Sequence, residues 1–110
     1  IISVANLSLT GSLSRSSNYG AQSVDIAAPG TYILSTIPGN RFDFLTGTSM
    51  AAPMVTGVCA MVYSFRQDFD LSEVRIAVLA SAKKMDSLNG LVASGGIPDM
   101  YAAMTFGWAQ

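Results

Sequence analysis

The sequence predicts an α/β fold built on a mainly parallel sheet. Two short, largely apolar runs, "IISVA" at residues 1–5 and "VDIAA" at residues 24–28, read as short strands of a buried parallel sheet. A much longer apolar run, from about Thr48 to Phe65, has the length of a helix. Strand-like segments come first and helical ones follow, an order that suits helices layered on a sheet.

Taken in order, each element has a local cause. Residues 1–5 form the first buried strand, and residues 6–23, "NLSLTGSLSRSSNYGAQS", are rich in Ser, Asn and Gly and make a surface connection. "VDIAAPG" is the second strand, stopped by Pro29 and Gly30. "YILSTIPGNRFDFLTG" is expected as two strands around Pro38-Gly39-Asn40, a hairpin signal. The helix from Thr48 to Phe65 is apolar on every face, through Met50, Val55, Val58, Met61, Val62 and Phe65, and so belongs inside a larger body. Pro53 lacks an N–H and its ring crowds the carbonyl four residues back; the first turn is expected to be distorted, or the helix to start late. Ser72 is the expected cap of the next helix, with Glu73 placed against the N-terminal dipole. Leu71, Val74, Val78 and Ala82 make its apolar stripe, and Lys83 and Lys84 suit its C-terminal end. "GLVASGGI" fits a short hairpin or loop, and Asp99 caps a last small helix, "MYAAM".

Composition narrows the function classes. The chain has 110 residues, 50% of them hydrophobic and 12% charged, with formal net charge −1. That charged fraction is about half of the ~25% usual for soluble domains, which leaves surface for another segment to cover. The sequence also begins without a Met and already inside a strand, so the expectation is a fragment whose real N-terminus lies upstream. Near-neutral charge with no basic run argues against a nucleic-acid partner. No uninterrupted apolar stretch reaches the ~18 residues of a membrane span, and no signal-peptide pattern opens the chain. Cys59 stands alone between Val58 and Ala60, offers neither a disulfide nor a thiolate pair for a metal, and is expected as a small core residue.

The stretch with chemical content is "GTSMAAPMVTG", residues 47–57. A serine hydroxyl needs a base before it attacks a carbonyl, and the oxyanion that forms needs donors. A helix N-terminus supplies unpaired N–H groups and the positive end of the dipole. Ser49, following Gly47-Thr48 at a helix start, stands where its own N–H could face such an oxyanion. Gly47 permits close backbone approach, and Ala51-Ala52 keep the neighbourhood small. A plain capped helix start explains the same spacing, and the chain contains no histidine to serve as base. "SAKK", Ser81 to Lys84, fits the S-x-x-K spacing of penicillin-binding enzymes, but the companion motifs are absent. "NLS", Asn6 to Ser8, matches a glycosylation sequon.

The same eleven residues closely resemble the signature around the nucleophile of subtilisin-like serine proteases, G-T-S-M-A-x-P-x-V-x-G. Gly47, Thr48, Ser49, Met50, Ala51, Pro53, Val55 and Gly57 meet every fixed position, and Met54 stands where His is commonest. "SNYG" with "VDIAAPG" before the signature, and "GGIPDMYAA" after it, resemble the flanking segments of that family in the right order. The resemblance covers about residues 1–105 and implies a three-layer subtilisin-like fold, of which residues 1–110 are the C-terminal segment of a single catalytic domain. It implies a serine endopeptidase that forms an acyl-enzyme on Ser49, whose backbone N–H is one oxyanion donor. In this family the triad Asp and His, and the oxyanion Asn, precede the Ser in the chain. The partner expected is therefore an N-terminal segment carrying them, separate or cleaved; the missing histidine then needs no other explanation. The alternative is a pseudoprotease, a non-catalytic binding or regulatory module that has lost Asp or His. By resemblance Leu45, Thr46, Gly47, Thr48 and Met50 line the substrate cleft, Leu45 and Met50 on its leaving-group side, and protein or peptide substrates follow. No cofactor is evident in the residues; the resemblance admits calcium, with Asp25, Asp68 and Asp70 as the candidate carboxylates, and favours a secreted or extracellular setting.

Overall fold

The computed structural model describes residues 1–31 and 33–108. Tyr32, the first residue of the expected hairpin, lies outside the described residues. The elements are β1 (Val4–Leu7), β2 (Ile26–Pro29), β3 (Ile33–Ile37), β4 (Arg41–Leu45), α1 (Thr48–Phe65), α2 (Leu71–Ala80), β5 (Lys83–Lys84), a 3₁₀ turn (Asp86–Leu88), β6 (Gly96–Ile97) and α3 (Met100–Met104). The α/β class holds. Its parallel part within this chain is the β1–β2 pair, in register from Val4 opposite Ile26 to Leu7 opposite Pro29; β3–β4 and β5–β6 are antiparallel.

The parallel pair is buried on both faces, as its apolar runs require. Val4, Ile26 and Ala28 face α1 and pack with Ala51, Val55 and Val62, while Val74 and Val78 of α2 close the same cluster. Ala5, Leu7 and Ala27 point the other way, onto Leu88 and Val92 of the loop after β5. Side chains of a strand alternate between faces, so one short pair serves two small cores. The first strand sits later than the apolar run implies, because Asn6 and Leu7 are buried members of it and not the start of a surface loop. A fully buried Asn6 cannot accept a glycan, so the sequon carries no modification in this fold.

α1 has the predicted bounds, and Pro53 is tolerated inside it. The helix does not start late; its first turn is tightened, with the Gly47 carbonyl accepting from Met50 N at 3.0 Å and Ala51 N at 3.3 Å. α1 is less buried than an all-apolar helix demands: Met54, Met61, Tyr63 and Phe65 are exposed, Met61 to 48%. With 18 residues and mean hydropathy 1.3, it also has the length and composition of a membrane span once its polar residues are averaged in, although no uninterrupted run does.

Two capping expectations are corrected. α2 is capped by Asp70, not Ser72: the Asp70 carboxylate accepts from Glu73 N at 2.8 Å and the Glu73 side chain accepts from Asp70 N at 3.1 Å, a closed capping box. Lys83 and Lys84 lie beyond the end of α2, in β5, where Lys84 Nζ donates to the Ser94 carbonyl at 2.5 Å. Asp99 does cap α3, accepting from Ala102 N at 3.0 Å.

Arg66, the buried C-cap of α1, ties down the chain end. Its guanidinium donates to the carbonyls of Met104 (3.2 Å) and Phe106 (2.7 Å), pairs with Asp68 at 3.0 Å, and lies 3.9 Å over the Phe69 ring. The hydrogen bond from Arg66 holds the Asp68 carboxyl below its ordinary value, and the same bond raises Arg66.

Candidate active site

The candidate site lies beyond the carboxyl ends of β1 and β2, where open α/β sheets leave room for ligands. The β3–β4 hairpin, with Asn40 at φ 57° in its turn, returns the chain to that end and delivers Leu45, Thr46 and Gly47 to the start of α1. Leu45, paired with Ile33, is partly buried and Thr46 is exposed.

Gly47 is the N-cap of α1, with φ 156° and ψ 170°, a conformation that residues with a Cβ rarely adopt. Its N–H donates to the Gly30 carbonyl at 2.8 Å, which fastens the helix start to the end of β2. Gly30 is equally constrained: a Cβ there would stand 2.5 Å from the Gly47 carbonyl oxygen and 2.6 Å from Asn6 Oδ1. Both glycines are needed for one close backbone contact, and that contact sets the first turn of α1.

Thr48 and Ser49 are the first two residues of the helix, ahead of Met50 and Ala51, whose N–H groups make the first intrahelical bonds. The N–H groups of Thr48 and Ser49 thus belong to the unbonded set that every helix start presents. Thr48 is partly buried and Ser49 is exposed. Pro53 follows Ser49 by four residues, so the bond that would close on the Ser49 carbonyl is missing too. Met50 is partly buried and folds back over Gly47, its Sδ 3.7 Å from where a Gly47 Cβ would be. The structure thus brings Gly47, Thr48, Ser49 and Met50 to one point, with Leu45 and Thr46 leading into it.

The chain contains no histidine to serve Ser49 as a base. Cys59, ten residues and nearly three turns further along α1, is no substitute: it packs against the core and burial pushes its thiol up, toward the unreactive form. Beside α1 lies an apolar cleft of about 550 Å³, lined by Ala28, Pro53, Met54, Val58, Met61 and Met100.

The three carboxylates expected as calcium ligands each have other partners and do not converge. Asp25 accepts from Ser3 N at 2.9 Å and pairs with Arg75 at 3.2 Å, Asp68 is held by Arg66, and Asp70 caps α2. Among the described residues no three His, Cys, Asp or Glu side chains converge on one point. Sequence reasoning also missed Asn6, which is fully buried beside this site with its Oδ1 accepting from Thr31 Oγ1 at 3.2 Å. A polar residue inside an apolar strand run was the only signal for it.

Comparison with known proteins places the chain in a family. Residues 1–99 match the family model described as the subtilase family. The chain is 38% identical over 109 residues to Subtilisin-like protease 1 of Plasmodium falciparum (isolate 3D7), covering 94% of this chain and 16% of that protein. It is likewise 38% identical over 106 residues to a thermophilic serine proteinase of Bacillus sp. (strain AK1), covering 96% of this chain and 25% of that protein. Among solved structures, the prenylagaramide maturation protease PagA superposes with a TM-score of 0.81 at 28% identity, over 94% of this chain and 41% of that one. The chain spans a quarter or less of the length of these curated relatives.

Proposed function

The chain belongs to the subtilase family, and from that premise we propose that it is the nucleophile-bearing segment of a serine endopeptidase. Ser49 attacks the carbonyl carbon of a peptide bond. Its proton passes to a histidine on an N-terminal segment of the same domain, where an aspartate orients the imidazole. The tetrahedral oxyanion takes the Ser49 N–H and the side-chain amide of an asparagine on that segment. Collapse expels the amine, protonated by the histidine, and leaves the acyl group on Ser49 until water releases it.

One observation carries this reading: Ser49 is exposed at the start of an 18-residue helix, and that start is pinned by the Gly47–Gly30 contact. Free N–H groups, the dipole and a fixed position are what a developing oxyanion needs. Leu45, Thr46, Gly47, Thr48 and Met50 line the approach of the substrate, Leu45 and Met50 toward the leaving group.

Coverage of the apolar surfaces supports a completing segment. Met54, Met61 and Met100 around the 550 Å³ cleft, and Leu34, Phe42 and Phe44 on one face of the β3–β4 hairpin, are exposed apolar side chains grouped on two faces, the kind of surface that another segment covers. We place α1 within the assembled domain and not in a bilayer, because β1, β2, α2 and α3 all pack on it.

The test uses the assembled domain, this chain joined with its N-terminal segment, acting on an unstructured protein substrate. Ser49→Ala should lower turnover by several orders of magnitude with the fold retained. A folded wild-type assembly with no turnover would favour the pseudoprotease reading.

A further inference from the structure

Asn6 is the one polar side chain on the helix-facing side of the β1–β2 pair. Alternation puts Asn6 on the face of Val4, opposite Ala28 in register, and toward α1. It is fully buried. Its Oδ1 accepts from Thr31 Oγ1, but its Nδ2 has no partner among the described residues. A buried N–H without an acceptor is costly, and an apolar side chain of the same shape would avoid that cost. Packing alone therefore does not account for an amide here.

Its location gives the alternative. The Gly30 Cα stands against three groups at once: a Cβ on it would lie 2.6 Å from Asn6 Oδ1, 2.5 Å from the Gly47 carbonyl oxygen and 3.0 Å from Ala51 Cβ. The Gly30 carbonyl in turn accepts from Gly47 N. Asn6 is thus the floor of a short column, amide to Gly30-Thr31 to Gly47, whose top is the first turn carrying Ser49.

We infer that Asn6 is a positioning residue: its carboxamide, held by Thr31, fixes the Gly30–Gly47 contact and so aims the Ser49 hydroxyl and N–H. This rests on the reading of Ser49 as nucleophile for its catalytic consequence, but not for the positioning itself. The two are separated by measuring both in the assembled domain. In Asn6→Leu, amide exchange at Gly47, Met50 and Ala51 should quicken about tenfold or more while the rest of α1 keeps its protection. The melting temperature should stay equal to wild type or rise, since the unpaired N–H is gone. The kcat should fall roughly 10- to 100-fold with KM within about twofold, as for a misaimed reacting group. Thr31→Val should act in the same direction, and the double variant should be no worse than Asn6→Leu alone. If Asn6→Leu does not fold, Asn6→Ala should show the same split. Unchanged exchange at Gly47 in a folded variant would overturn the positioning role, as would a fall in kcat that merely tracks a lower melting temperature. Quickened exchange in an assembly without turnover would leave the positioning standing and defeat the nucleophile reading.

Discussion

Gly30→Ala is the sharpest perturbation of the helix start. The added methyl would sit 2.5 Å from the Gly47 carbonyl oxygen, where ordinary contact begins at 3.4 Å, so the two backbones must part by about 0.9 Å. Neither side yields easily. The Gly47 oxygen is held by Met50 N and Ala51 N, the Gly47 N–H by the Gly30 carbonyl, and Ala51 Cβ closes the third side at 3.0 Å. Overpacking of this kind costs about 1–3 kcal/mol. A displacement near 1 Å at the turn carrying Ser49 would cost roughly 100-fold in rate. Thermal unfolding of the assembled domain and single-turnover acylation measure the two effects separately. Gly30→Ser should behave like Gly30→Ala, because the Cβ and not its substituent makes the clash. An alanine variant with wild-type melting temperature and acylation rate would refute the close contact from which the site geometry is built.

Asp70→Ala removes the cap of α2 and should destabilise by about 1 kcal/mol, seen as a lower denaturation midpoint with unchanged turnover. The Asp68 carboxyl titrates below its ordinary 3.8 in the fold, so its pairing with Arg66 is fully present above that value and is lost as pH falls through the lower folded one. Acid unfolding of Asp68→Asn should therefore lack that part of the pH dependence; since Asp68 is 65% exposed, the effect is small, and an Asn variant identical to wild type in both acid and neutral solution would contradict the pairing. Mild peroxide should convert Met50 to its sulfoxide and lower turnover with the fold intact, and Met50→Ala should abolish the sensitivity while keeping some activity. The Met50 variant is the control for that assay, since Met61 is itself 48% exposed on this chain.

The legible parts of the fold were those with local causes. The bounds of α1 follow from a Gly-Thr-Ser start and an apolar run ended by Arg66-Gln67-Asp68, and the β3–β4 hairpin follows from Pro38-Gly39-Asn40. Ser49 is singled out by its signature, and the structure places it exposed at the start of α1. What was hidden depends on contacts far apart in sequence or on a choice between neighbours. Asn6 meets its partner Thr31 across 25 residues, so a polar residue ending an apolar run looked like the start of a loop. Asp70 and Ser72 both have capping side chains; Glu73, three residues after Asp70, was the signal that distinguishes them, since only Asp70 can close a capping box with it. Lys83 and Lys84 suited a helix end by charge, but the chain turns into β5 to pair with Gly96 and Ile97, which helix periodicity cannot foresee. Exposure of Met61 reflects which surfaces this chain covers by itself, a property no local pattern encodes.

The central claim, that Ser49 is the nucleophile, is tested most directly by covalent trapping. A fluorophosphonate applied to the folded assembly, followed by digestion and peptide mass mapping, should place one adduct on Ser49 and none on the other serines of this chain, Ser81 included. An adduct on another serine, or a folded wild-type assembly that stays unmodified at Ser49, would contradict it.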